Sequence, residues 1–284
     1  MPKTELILPG FALPLCLACG IGFAAENDNA PDKSPFNLFN PVPKQWMRDL
    51  TPDRPDATES PHTVDAGHYQ LEMDFANFTY NTGRETTRAW NVAPVNLKAG
   101  LLNNVDFQLV YGSYFHLAGR AGAAAQAGFG DLTARLKINL WGNDTGQTAF
   151  GLLPYVKFPT STDHLGNNAV EGGVIFPLAV KLPANFELGT ETAGGIFRNA
   201  QGNGRHAEFI GSVTVDHALI GKLSAYLEFF SDFSTESHSD WIGTADIGLE
   251  YLLTENVQLD CGCNVGLTRA ADTAHAFSGI TIRF

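Results

Sequence analysis

From Ala66 onward the chain alternates apolar and polar residues with a period of two, and it sustains the alternation over long stretches. Leu132, Ala134, Leu136, Ile138 and Leu140 alternate with Thr133, Arg135, Lys137 and Asn139. Phe209, Gly211, Val213 and Val215 alternate with Glu208, Ser212, Thr214 and Asp216, and Ala245, Ile247, Leu249, Tyr251 and Leu253 with Thr244, Asp246, Gly248 and Glu250. Tyr69–Phe75, Val105–Tyr111, Leu223–Phe229 and Val257–Leu267 follow the same rule. Successive side chains leave a strand on opposite faces, so each stretch is a strand with one apolar and one polar face. Counting apolar runs between turn signals predicts about twelve strands of ~10–12 residues, nearly twice the usual globular length of ~5–6. Pro94 interrupts the second of them, and Pro177 falls on the polar face of the sixth.

The connections alternate in character. Leu102–Asn104, Gly142–Gly146, Pro183–Asn185, Leu219–Gly221 and Thr254–Asn256 read as tight turns. Between them come links that are mostly longer: Asn81–Arg88, Leu117–Gly130, Thr160–Gly166, Arg198–His206, Ser234–Asp240 and the shorter Arg269–Ala274. Short turns on one side and longer loops on the other describe an outer-membrane barrel, whose even strand number brings both ends of the sheet to the short-turn side.

A soluble sandwich would alternate in the same way, so three other features decide. The first is an export signal over residues 1–25: Lys3, a mostly apolar run from Leu6 to Phe23, and small residues at Gly22-Phe23-Ala24-Ala25 before polar Glu26–Asn29. The second is strand length. The third is aromatic placement, with Tyr69, Trp141, Tyr251 and Phe284 at the turn side and Trp90, Tyr114, Phe158 and Trp241 at the loop side, where a ring can be half apolar and half hydrated. The chain also finishes on Ile280-Thr281-Ile282-Arg283-Phe284, an alternating strand with a final aromatic, which predicts recognition by the barrel-assembly machinery through Phe284. The expected class is therefore all-β, an antiparallel transmembrane β-barrel of about twelve strands over residues 66–284, monomeric or weakly oligomeric, embedded in outer-membrane lipid.

Residues 26–65 differ in composition. Pro31, Pro35, Pro41, Pro43, Pro52, Pro55 and Pro61 fall there, seven of the 15 prolines in the chain. Each lacks a ladder donor, so the segment cannot form a sheet. It is an extended leader, either lying in the periplasm, which is the plainer option, or folded into the barrel as a plug. Cys261 and Cys263, at i and i+2, share one face of a strand and suit neither a relaxed disulfide nor a common zinc pattern.

Thr51-Pro52-Asp53-Arg54-Pro55-Asp56-Ala57-Thr58-Glu59-Ser60-Pro61, followed by Val64-Asp65-Ala66-Gly67 and Gln70-Leu71-Glu72, resembles the entry motif of a family of outer-membrane transporters named for the meta-pathway of phenol degradation. Gly130-Asp131-Leu132, Leu153–Pro159, Gly248-Leu249 with Tyr251, Gly266-Leu267 and Gly279–Phe284 extend the resemblance over nearly everything after Thr51. It implies an outer-membrane location and a role in passing or binding a small solute, with aromatic compounds as the implied class. It carries over no site residues.

If the apolar set faces lipid, the polar set lines the interior, and its charges segregate. Arg135, Lys137, Lys157 and Lys181 fall on the fourth to sixth strands; Glu187, Glu191, Glu208, Asp216, Glu228, Asp246, Glu250 and Asp260 fall on the seventh to eleventh. These twelve are the candidate pore-lining residues. Two arrangements are open: a basic wall facing an acidic wall across a narrow lumen, with a weak preference for cations, or cross-lumen pairing that seals the barrel. A net charge of −12 without a basic cluster argues against nucleic-acid binding. The Ser234–Asp240 loop holds Ser, Glu, His and Asp, but a solvated tip has that composition too. Asp163-His164 and His206–Glu208 are two-ligand fragments, short of a metal site. The chain is read as no enzyme, without metal or cofactor; its alternatives are a sealed structural barrel and an outer-membrane hydrolase.

Overall fold

The structure is a computed structural model that describes residues 31–82, 87–118, 125–162 and 165–284. The export signal, residues 26–30, the Asp163-His164 fragment and part of the Leu117–Gly130 link lie outside the described residues. Twelve antiparallel strands follow one another round a closed sheet. They are β1 (Tyr69–Asn81), β2 (Thr87–Val92 and Val95–Leu102), β3 (Val105–Tyr111 and Tyr114–Leu117), β4 (Gln126–Gly128 and Leu132–Trp141), β5 (Thr148–Phe158) and β6 (Glu171–Leu182). Then come β7 (Phe186–Arg198), β8 (Arg205–Ile220), β9 (Leu223–Ser234), β10 (Ile242–Thr254), β11 (Val257–Gly266) and β12 (Ala274–Arg283). Closure comes from β12 pairing with β1, from Gln70 opposite Arg283 to Tyr80 opposite Ala274. A closed sheet has no edge, and in lipid that is the only way a sheet can satisfy every backbone donor and acceptor.

Three strands are broken, each for a local reason. In β2 the break falls at Ala93-Pro94, where Ala93 takes a positive φ of 51° and Pro94 has no N–H to give the ladder. Its carbonyl still accepts from the Asp74 N–H (3.2 Å), so the wall stays continuous. Breaks at Gly112-Ser113 and at residues 129–131 interrupt β3 and β4 side by side, where the Gly130 N–H donates to the Gly112 carbonyl (2.8 Å). Gln126–Gly128 pairs with Phe115–Leu117, so part of the link expected between Leu117 and Gly130 is wall rather than loop.

The alternation places the two faces as the sequence requires. Leu97, Val213, Leu227, Ile247 and Leu249 are exposed on the outer face, while Lys98, Asp106, Gln108, Lys137 and Asp246 between them are almost fully buried. This inverts a soluble protein, and only hydrocarbon outside the wall makes the inversion favourable. All eight aromatics expected at the strand ends are exposed, forming two rings at the rims. Cys261 and Cys263 are free thiols, Cys261 exposed on the outer face opposite Leu249 of β10.

Candidate functional site in the barrel lumen

The interior is shaped by the leader as much as by the wall. At the turn-side rim Lys33 Nζ bonds Asp144 (2.6 Å) and Asp65 (3.3 Å), and Arg48 bonds Asp144 (3.0 Å) and the Asn103 carbonyl (2.6 Å). His68 reaches the carbonyl oxygens of Val42 (2.7 Å) and Phe284 (3.0 Å), tying the leader to the closing strand. Between these anchors, residues 51–61 run into the barrel and return, and the prolines that bar them from a ladder leave their N–H and side-chain groups to bond the wall.

On the basic side the leader supplies carboxylates. Asp53 is held between Lys98 (2.5 Å) and Lys137, Glu72 of β1 also pairs Lys98, and Glu59 pairs Arg135. The side chains of Lys98 and Lys137 are 2% and 0% exposed, so each ammonium depends on nearby carboxylates rather than on water. Burial by itself would raise the Asp53 carboxyl, but Lys137 and Lys98 hold it far below the ordinary carboxylate range. Asp106 of β3, wholly buried, accepts the Val64 N–H (2.9 Å), and Asn139 of β4 donates to the Pro61 carbonyl (3.0 Å).

On the acidic side the leader offers mainly donors. The Arg54 guanidinium gives Asp260 of β11 two bonds (2.8 and 2.6 Å) and pairs Asp74 of β1 (2.6 Å). Glu228 of β9 accepts the Ala57 and Thr58 N–H groups, both at 2.8 Å, and Glu191 of β7 accepts the Glu59 N–H (2.7 Å). Thr58 Oγ1 adds a bond to Glu228 and one with Ser212.

The candidate lumen residues are therefore distributed as follows. Arg135, Lys137, Glu191, Glu228 and Asp260 bind the leader. Lys157 pairs Glu171 of β6 (2.5 Å), and Glu208 meets His206 (2.9 Å) toward the loop side. Lys181 stands exposed at the turn-side rim, where it borders a mouth of about 680 Å³ with His62, Asp144 and Glu187. Glu187, Asp216 and Glu250 border an inner cavity of about 190 Å³ against the leader. Asp246 borders another of about 360 Å³ toward the loops. The facing-walls arrangement is corrected in one respect: where the two sets approach the axis, the leader stands between them and they do not meet across open space.

Lys98, Glu72, Asp74 and Asp106 went unselected in the sequence, although the alternation of β1 to β3 points them inward. Asp53, Arg54 and Glu59 carried a different signal, since they belong to the motif Thr51–Pro61. Outside the spanning strands, burial and the neighbouring cations Lys137, Lys181 and Arg48 push the His62 imidazole down to about 4. At the rim burial would raise Asp144, yet Arg48 with hydrogen bonds from Lys33 and Asn103 holds it at about 2. In the Ser234–Asp240 loop the Ser239 hydroxyl donates to the carbonyls of Glu236 (2.7 Å) and Ser234 (3.1 Å), which is the bonding of a turn and not of an activated nucleophile.

Two solved structures share the architecture. The NanC porin matches with a TM-score of 0.50 at 10% identity, over 75% of this chain and 98% of its own. An outer-membrane channel from Pseudomonas putida F1 matches with a TM-score of 0.52 at 14% identity, over 76% of this chain and 93% of its own. At such identities the likeness is one of fold. No curated protein matches the chain. Residues 52–284, from the lumen motif to the last residue of the chain, match the family described as "Putative MetA-pathway of phenol degradation", and the protein belongs to that family of outer-membrane β-barrels.

Proposed function

We propose that the protein is an outer-membrane channel for small solutes, with the inward polar face as its lining and residues 52–61 of the leader as its constriction. The observation that carries this reading is the row of cavities left between the leader and the wall. A mouth at the turn-side rim, the inner cavity bordered by Asp56 and Thr58, and the cavity bordered by Ala57 and Asp246 lie along one flank of the leader. A barrel whose only task was to seal would gain from filling that flank with side chains, as it does on the basic side. The excess of carboxylates there favours cations. The family name points to aromatic compounds as the first uncharged solutes to try.

The dense pairing of Asp53, Arg54 and Glu59 favours a second reading, a barrel closed at rest. Planar-bilayer recording separates the two. The channel reading expects unitary conductance with a reversal potential on the cation side in a salt gradient, altered by charge reversal at Lys157. Silent, ion-tight insertions, with no swelling of proteoliposomes in phenol or small polyols, would leave the sealed barrel.

A further inference from the structure

While residues 51–61 of the leader enter the lumen, the stretch from Lys33 to Arg48 stays at the turn-side rim. Within it residues 37–40 make a tight hairpin. The Asn37 and Asn40 backbones bond each other in both directions (2.9 and 3.0 Å), which leaves Leu38 and Phe39 at the tip. The wall itself holds this hairpin: the Leu38 N–H donates to the Leu101 carbonyl of β2 (2.9 Å), and Asn37 bridges Leu102. Leu102 pairs with Val105 of β3 and is 49% exposed on the outer face. Phe39 is 92% exposed, more than any other large apolar side chain among the described residues.

A bare phenyl ring is unfavourable in water, and three observations point to what covers this one. Its place is continuous with the lipid-facing surface, because the hairpin is bonded to the end of β2, where Leu97 and Leu102 already face outward. The rim also has a gap there. Tyr69, Trp141, Phe186, Tyr251 and Phe284 stand exposed at the turn-side ends of β1, β4, β7, β10 and β12, whereas the Leu102-Asn103-Asn104-Val105 turn between β2 and β3 has no aromatic residue. Finally, every backbone donor from Asn37 to Asn40 is used: the Phe39 N–H donates to Asn37 Oδ1 (3.0 Å), and the other three bond backbone carbonyls. The Asn40 side-chain amide donates to the Pro35 carbonyl (3.2 Å). A tip in water has no need of such closure, but one set among lipid headgroups and upper acyl chains does.

We propose that the hairpin of residues 37–40 is a membrane-interface anchor, with Phe39 seated among the phospholipids of the periplasmic leaflet beside Leu102, where it completes the turn-side aromatic ring. The leader is then held from two directions: by the ion pairs of Lys33 and Arg48 at the mouth of the lumen, and by lipid outside the wall. The anchor is independent of the channel reading. It needs only a barrel in the outer membrane, and a sealed barrel would carry it equally.

The test puts the photo-reactive side chain of p-benzoylphenylalanine in place of Phe39, in the full chain reconstituted into vesicles of phosphatidylethanolamine and phosphatidylglycerol. The same side chain in place of Leu97 on the outer face serves as the lipid reference, and in place of exposed Gln45 as the water reference. Heat-modifiable gel mobility shows that each barrel has formed. On irradiation the chain carrying the probe at position 39 is expected to gain the mass of one phospholipid, as at 97, with no gain at 45. Irradiated in whole cells, it should again give a lipid adduct and no protein adduct. No gain at 39 while 97 is modified, or an equal gain at 45, overturns the proposal. A protein adduct in cells does so too, since the tip would then be a docking point for another chain. Should the probe prevent barrel formation, Phe39→Trp decides instead: the fluorescence it adds to that of the natural chain should be quenched by brominated phospholipid and shielded from acrylamide, and the reverse overturns the anchor.

Discussion

The two sides of the lumen meet the same leader and treat it differently. On the side of β2 to β4 every buried cation receives a carboxylate: Lys98 and Lys137 share Asp53, and Arg135 takes Glu59. On the side of β7 to β11 carboxylates outnumber what the leader can offer. Arg54 and three backbone N–H groups satisfy Asp260, Glu228 and Glu191, while Glu187, Asp216 and Glu250 remain around open space. A buried ion pair holds its parts in register because either charge alone is costly. The basic side therefore works as the anchor. The acidic side, where charge is in surplus, keeps open space beside the leader.

The sharpest way to break this contrast is to delete one charge from each side. Lys137→Met leaves Asp53 with Lys98 alone in a dry site, and a cost of about 3–5 kcal/mol is expected from removing one member of a buried pair. The thermal midpoint of the folded barrel should fall, and added protease should cut the leader. An unchanged midpoint would mean that Asp53 does not anchor the leader. Asp216→Asn on the other side should do the opposite, raising the stability by about 0.5–1 kcal/mol, because it removes a half-buried charge with no ion-pair partner among the described residues. A fall there would mean that Asp216 is already neutralised within the chain.

A further effect comes from pH. His62 is held neutral in the folded chain, with its pKa lowered from 6.5 to about 4. Between those values the unfolded chain binds the proton and the folded one does not. Stability from this group is thus full above about 6.5, is lost as pH falls toward 4, and changes no further below it. His62→Gln should accordingly gain on the natural chain, by at most about 2–3 kcal/mol, as pH drops from 7 to 4.5. Melting curves at the two values test it, and a constant difference would rule out this role for His62.

Much of the wall was legible in the sequence because a strand's two faces are set by position alone. Once Leu136 faces lipid, Arg135 and Lys137 must face inward, and no tertiary detail can alter that. The strand breaks were legible where a proline makes them, as at Pro94. They were not at Gly112 and residues 129–131, where short strand segments continue the wall through what composition marked as loop. In the lumen the candidate charges fall on the inward face, but the partners of Lys137, Asp260 and Arg135 lay in Asp53, Arg54 and Glu59, far away along the chain, and alternation carries no information about such distances.

The sequence by itself determined the barrel. A period of two over strands of membrane length, turns alternating with loops and aromatics at both ends admit one solution when the solvent is hydrocarbon, because every backbone group must then be paired within the sheet. Only the tertiary structure decided what fills it. The leader's course follows from which carboxylate reaches which ammonium in a space from which water is largely excluded. That depends on strand register and closure summed round the whole wall, and no local pattern encodes the sum.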